Sequence, residues 1–155
     1  TEHRSGAVME LLADGTFHLA VGSTEMGNGS VTSHRQIAAG VLGCRAGDIA
    51  FINADTDRAP FDTGTFASTG TVVAGQAVML TAQALRQNIL AFAARTTGTA
   101  AADWTLEAGI AIGPNERIPL AELHASGMAA GPISIAVDVS EPLADGAVSA
   151  AAPAA

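Results

Sequence analysis

Cysteine, tyrosine and positive charge are all scarce in this sequence. Cys44 is the only cysteine, so no internal disulfide can form and neither a zinc ribbon nor an iron–sulfur cluster can be assembled from the chain. Beside Leu42 it reads as a small buried apolar residue rather than a reactive thiol. Tyrosine is absent, and aromatics make up only 4%. Much of the 48% hydrophobic content is alanine, so a core can form but each residue buries little area. Seven basic residues face fifteen acidic ones, a formal net charge of -8 with a pI near 4.7. That balance argues against nonspecific binding to DNA or RNA, whose affinity rests on Lys and Arg at phosphates. It also argues against adsorption to an anionic membrane. It leaves room for a small anionic ligand held by backbone N–H groups, which need no net positive charge. With no apolar run of membrane-spanning length and no charged-then-apolar leader, the expectation is a cytoplasmic protein. The polar start at Thr1 and the alanine-rich end read as cuts in a longer protein. Residues 1–145 are expected to be a single domain and 146–155 a low-complexity tail.

Along the chain, Ala7 to Leu12 reads as a strand, Asp14-Gly15 as a hairpin turn and Thr16 to Val21 as the returning strand. His18 falls opposite Phe17 and Leu19, on the solvent side. A helix follows from about Ser30 to Leu42. Val31, His34, Ala38, Val41 and Leu42 share its apolar stripe, His34 as a hydrogen-bonded interior or edge histidine, and Gly43 stops it. Asp48 to Asn53 is a third strand. Residues 54–70 form a long connection, of a length that is often functional. In it, Asp55 and Asp57 lack the spacing of a calcium loop and read as turn formers. A second helix begins near Ser68 to Thr71 and runs to about Arg95, with Val78, Leu85, Ile89 and Phe92 on one face. Gly75 marks a close approach to sheet or loop. Trp104 to Ile112 reads as a hairpin turning at Ala108-Gly109, Pro119 to Ala125 as a short helix and Ile133 to Val139 as a last strand. Trp104 has no basic flank for base stacking and reads as a packing residue. The expected fold is α+β, in a two-layer arrangement with a mixed β-sheet covered by two main helices.

Two segments carry candidate chemistry. In Gly22-Ser23-Thr24-Glu25-Met26-Gly27-Asn28-Gly29-Ser30-Val31-Thr32-Ser33, the glycines permit tight turning and close approach. Ser30, Thr32 and Ser33 are capping residue types. Such a turn at a helix start points several N–H groups in one direction, which suits a phosphate. An ordinary capped connection carries the same pattern. Ser68-Thr69-Gly70-Thr71 opens the second helix with similar donors. If both starts face one crevice, they form a two-sided anion site.

Two ordered blocks carry a resemblance. The first comprises Asp14-Gly15-Thr16, Gly22 to Gly29, Thr32, Gln36-Ile37-Ala38-Ala39 and Leu42-Gly43. The second comprises Asp55-Thr56, Pro60, Thr65-Phe66-Ala67-Ser68 and Gly75-Gln76-Ala77-Val78. Over roughly residues 7–95 the chain resembles the molybdopterin-binding region of the molybdenum hydroxylase large subunit, the xanthine dehydrogenase and aldehyde oxidase family. The resemblance implies that Met26, Gly27, Asn28 and Gly29 on one side bind molybdopterin, as the mononucleotide or the cytosine dinucleotide. Thr65, Ala67, Ser68, Thr69 and Gly70 do so on the other. Asn28 stands where Gln is usual and is one methylene shorter, so a direct side-chain bond is expected to be lost or bridged by water. The implied chemistry is hydroxylation of an aldehyde or N-heterocycle carbon, with oxygen from water and a glutamate base. That glutamate follows a glycine downstream in the family. No Gly-Glu pair occurs here, and Glu25 matches a structural position, so no catalytic and no metal-ligating residue is assigned. Iron–sulfur and FAD groups belong to other regions or subunits. The implied partners are the remainder of the large subunit and those iron–sulfur and flavin parts, with no nucleic acid and no membrane. The isolated chain is expected to be silent. Two other readings compete: a stand-alone anion- or nucleotide-binding module, and an assembly domain docking through its helices.

Overall fold

Alternating apolar residues build a hairpin with one buried face. In the computed structural model, which describes residues 3–53, 55–64, 70–128, 132–139 and 149–150, β1 (His3–Leu11) and β2 (Phe17–Val21) pair antiparallel. The turn is chemically specified. Gly15 takes a φ of 85°, and Asp14 Oδ1 accepts from both the N–H and the hydroxyl of Thr16. Ser5, Ala7, Met9 and Leu11 of β1 and Phe17, Leu19 and Val21 of β2 are buried on one side. β1 begins at His3 rather than at Ala7 because its first residues pair with distant β7 (Ile133–Val139), His3 opposite Val139.

The chain then crosses through α1 (Ser30–Leu42) into β3 (Ile49–Ile52), which lies parallel to β2. The sheet order is β3-β2-β1-β7-β8, where β8 (Ser149–Ala150) pairs with β7 inside the expected tail. α2 (Gly75–Thr97) packs on β1 and β7, and α1 packs on β3 and on α2. This is the two-layer α+β fold with a mixed sheet under two helices. α2 starts later than its sequence suggests, because a π turn at Gly70–Ala74 precedes it. A Cβ on Gly75 would sit 3.0 Å from Ile37 Cδ1, so the close approach is to α1 rather than to sheet or loop. Glycines in the left-handed region, Gly43 and Gly98, end the two helices.

A small sheet closes the far end of the helix layer. It comprises β4 (Thr105–Glu107), β5 (Ile110–Ile112) and β6 (Arg117–Pro119), followed by α3 (Leu120–Ala125). The Ala108 N–H donates to the Gly43 carbonyl at 2.7 Å, and Trp104 Nε1 donates to Thr99 Oγ1 at 2.7 Å. Trp104 is therefore a packing residue. β6 had no sequence signature, being three residues that pair only because β5 is beside them. With that end closed, the open end is the one where β2 and β3 finish and α1 begins. The helix-free face of the sheet carries Val8, Glu10, His18, Ala20 and Ile52 along a groove of about 580 Å³. His18 lies there opposite Glu10, partly covered and on the face away from Phe17 and Leu19, as its alternation suggested.

Two glycines, Gly6 on β1 and Gly22 just past the end of β2, seat the loop that follows β3. A Cβ on Gly6 would lie 2.6 Å from Pro60 Cγ, and one on Gly22 would lie 2.3 Å from the Pro60 carbonyl oxygen. The Gly22 N–H also donates to the Gly6 carbonyl at 3.2 Å, so the notch is part of the hairpin. Gly22→Ala is expected to cost about 1–3 kcal/mol through overpacking and to displace residues 55–62. A denaturant midpoint that falls at constant m-value checks this, and an unchanged midpoint contradicts it.

Candidate cofactor-binding site

The residue that shapes the open end is Glu25. Its own N–H is held by Asn53 Oδ1 at 3.2 Å, beyond the end of β3. Its side chain then turns back under the glycine loop. Oε1 accepts from the N–H groups of Gly27 at 2.7 Å and Gly29 at 3.0 Å. Oε2 accepts from the Val31 N–H at 2.9 Å and the Ser30 hydroxyl at 3.2 Å. Gly27 and Gly29 reach this carboxylate only by adopting φ of 88° and 75°, where glycine has no Cβ penalty. The bond from Val31, with those from Gly29, Gly27 and Ser30, lowers the Glu25 pKa to about 2 against the opposing effect of desolvation. The first-turn donors of α1 are thus capped by a carboxylate from outside the helix, whereas Ser30 makes no side-chain cap and Asn28 Oδ1 accepts from the Ser30 N–H. The available signal was an acidic residue one turn ahead of the helix, separated from it by glycines.

Behind this loop lies His34, fully buried on α1 and stacked on Phe51 of β3 at 6.2 Å between ring centroids. Contrary to the expected hydrogen-bonded histidine, neither ring nitrogen has a partner among the described residues. Burial pushes its pKa below the usual value. The nearby Gly70 backbone, which completes no hydrogen bond to it, and the carboxylates of Asp62 and Glu25 oppose that shift and are outweighed. Asp62 is itself tied to β1, accepting from the buried Ser5 hydroxyl, while the Thr63 N–H donates to the Arg4 carbonyl and the Arg4 N–H donates to the Thr63 hydroxyl oxygen. Ser23 Oγ is likewise a buried polar atom without a partner among the described residues. Cys44 is remote from this end, and burial raises its pKa to about 11, consistent with an inert thiol.

Of the residues singled out in the sequence, Met26, Gly27, Asn28 and Gly29 form one exposed tip, with the Met26 side chain 72% accessible. Gly70 lies at the start of the π turn, which packs on α1, and neighbours His34 on α1. Thr65, Ala67, Ser68 and Thr69 lie outside the described residues. Gly22, Thr24 and residues 55, 56 and 59–62 line a crevice of about 460 Å³ beside the tip, at the ends of parallel strands. Phe61, 69% accessible, stands at its edge.

An exposed glycine tip, a crevice of mixed polar and apolar lining, and buried polar atoms unpartnered among the described residues stand together at the open end of a mixed sheet, the arrangement of a cofactor-binding class of domain. The family described as the molybdopterin cofactor-binding domain matches residues 1–147. The chain belongs to that family, found in xanthine dehydrogenase-like molybdenum enzymes. It is 39% identical over 100 residues to the probable hypoxanthine oxidase XdhD of Escherichia coli (strain K12), covering 64% of this chain and 10% of that protein. It is 37% identical over 106 residues to the xanthine dehydrogenase molybdenum-binding subunit of Escherichia coli O157:H7, covering 68% and 14%. Its fold matches the reconstituted CO dehydrogenase from Oligotropha carboxidovorans with a TM-score of 0.73 and 21% identity, over 94% of this chain and 21% of that one. The chain therefore spans only a small part of the proteins it resembles. No helix among the described residues is long and apolar enough to cross a membrane.

Glu25 and the buried His34 act in separate pH windows. Glu25 has a lowered pKa, so its contribution is complete above 4.5 and is lost as pH falls toward about 2. His34 also has a lowered pKa, and between its folded value and 6.5 the unfolded chain binds the extra proton. Stability is expected to fall as pH drops below about 6.5, and His34→Met is expected to flatten that part of the profile. Denaturant titrations of wild type and His34→Met at about pH 7.5 and about pH 5.5 measure that slope.

Proposed function

We propose that residues 1–145 form the molybdopterin-binding domain of a molybdenum hydroxylase large subunit. The complete enzyme hydroxylates an aldehyde or N-heterocycle carbon with oxygen from water. The observation that carries this reading is the Glu25-organised tip at the open end of the sheet, in a chain of the molybdopterin-binding family. Met26, Gly27, Asn28 and Gly29 are assigned to one side of the cofactor. Thr65, Ala67, Ser68, Thr69 and Gly70 are assigned to the other.

The residues present suit a flat, hydrogen-bonding group. A Cβ on Gly27 or Gly29 would meet nothing within 4 Å, so the tip has open space beside it. The buried Ser23 hydroxyl and His34 ring supply unused hydrogen-bonding capacity behind it. When bound, molybdopterin supplies the redox-active molybdenum centre. This chain's part is to seat and orient the cofactor. The Asn28 carbonyl is engaged by the Ser30 N–H, leaving its amide nitrogen as the outward donor. Both oxygens of Glu25 are committed to the loop, so it is not a free base, and the catalytic glutamate is assigned to another region. On this reading the isolated chain is inactive. It works in the cytoplasm with the remainder of the large subunit and with the iron–sulfur and flavin parts, and the cofactor is the mononucleotide or cytosine dinucleotide form.

In the complete subunit, Gly27→Val, Gly29→Val and Ser68→Trp are expected to lower molybdenum and pterin content at least about tenfold, equivalent to roughly 1.4 kcal/mol. Elemental analysis and pterin fluorescence measure this. Full content in all three variants would falsify the assignment.

A further inference from the structure

The donors at the start of α1 are those that bind a phosphate in many nucleotide- and cofactor-binding folds. Here Gly27, Gly29, Ser30 and Val31 give them to Glu25 instead. A second anion brought to the same point meets a carboxylate rather than free N–H groups. Glu25 is also pinned through its backbone to Asn53 at the end of β3. A single residue thus ties the loop to the sheet at one side and to the helix at the other. What remains turned outward is uncharged: Met26, the Asn28 amide and the open space beside the two glycines.

We propose that Glu25 is the positioning residue of the cofactor loop. Its carboxylate is a built-in anion that curls residues 26–29 into the shape that receives the neutral edge of the pterin, not its phosphate. The identity of the cofactor rests on the function proposed above; the hold of Glu25 on the loop does not. The geometry accounts for the two left-handed glycines, since both N–H groups must converge on one oxygen, Oε1. It also separates the labour of the site. The loop at residues 26–29 reads shape and hydrogen bonding, and the cofactor's phosphate falls to other groups.

The experiment is amide hydrogen exchange and molybdopterin content, measured on the same preparations of wild type, Glu25→Ala and Glu25→Gln. In Glu25→Ala the amides of Gly27, Gly29 and Val31 are expected to exchange at least about tenfold faster. Formate, a carboxylate without the side chain, is expected to restore both protection and cofactor content. Glu25→Gln keeps one acceptor, so a single oxygen is expected to protect either the glycine pair or Val31 but not both. This variant carries the test if Glu25→Ala does not fold. Unchanged exchange in the variants overturns the proposal, as does loosening that formate cannot reverse. Loosening with undiminished cofactor content overturns the positioning role. Wild type purified without molybdopterin would instead sink the function proposed above, and exchange with formate rescue would still decide what Glu25 does.

Discussion

A helix start leaves N–H groups that must find acceptors, and at α1 the Glu25 carboxylate takes those of Gly29 and Val31 while Asn28 Oδ1 takes that of Ser30. Much of the open end follows from this. The loop must bend back on itself, so Gly27 and Gly29 take left-handed backbone angles. The bend turns Met26 and Asn28 outward, away from the helix they precede. The bond from Glu25 to Asn53 brings the end of β3 against the same loop, so the segments that follow β2 and β3 line one crevice. A carboxylate held by backbone donors needs no neighbouring cation, which suits a chain with few basic residues.

Close approach between small residues supports that arrangement from below. Gly6 and Gly22 admit Pro60 against the hairpin, and Gly75 admits Ile37 between the helices. The first contact lays the loop after β3 across the strand ends. The second sets the distance between α1 and α2, and with it the place of the π turn that opens with Gly70. His34 lies where these pieces meet, buried, stacked on Phe51 and without a hydrogen-bond partner among the described residues. Leaving a buried polar group without a bond costs about 1–3 kcal/mol, a cost that structural residues seldom carry without a role in the site they adjoin.

The acidity of the chain and the anionic character of molybdopterin are compatible for a local reason. Net charge governs long-range attraction, which salt screens over about 8–10 Å. Seating depends on dipoles and hydrogen bonds a few ångströms away. Along the tip the groups on offer are neutral, and the carboxylate beneath it, Glu25, has its charge turned into the helix start, while Asp62 in the adjoining crevice accepts from the Ser5 hydroxyl and the Gly64 N–H.

The α1 span from Ser30 to Leu42, the Asp14-Gly15 turn, the hairpin at Ala108-Gly109 and the two-helix-over-sheet plan were all legible in the sequence. Periodicity, turn chemistry and glycine stops are properties of neighbouring residues, and they act before any tertiary contact forms. The family resemblance was legible for a related reason, since its blocks are short and contiguous. The early start of β1, the three-residue β6, the partner of Gly75 and the surroundings of His34 were not. Each depends on a residue far along the chain: Val139 for His3, Ile37 for Gly75, Phe51 and Gly70 for His34. The use of Glu25 stands between the two. Its position ahead of a helix was visible, but only folding decided that its carboxylate, rather than a ligand, would take the donors. That choice depends on how sharply the glycines bend once β3 holds the loop at its base, and hydrogen-bond geometry of that kind has no one-dimensional signature.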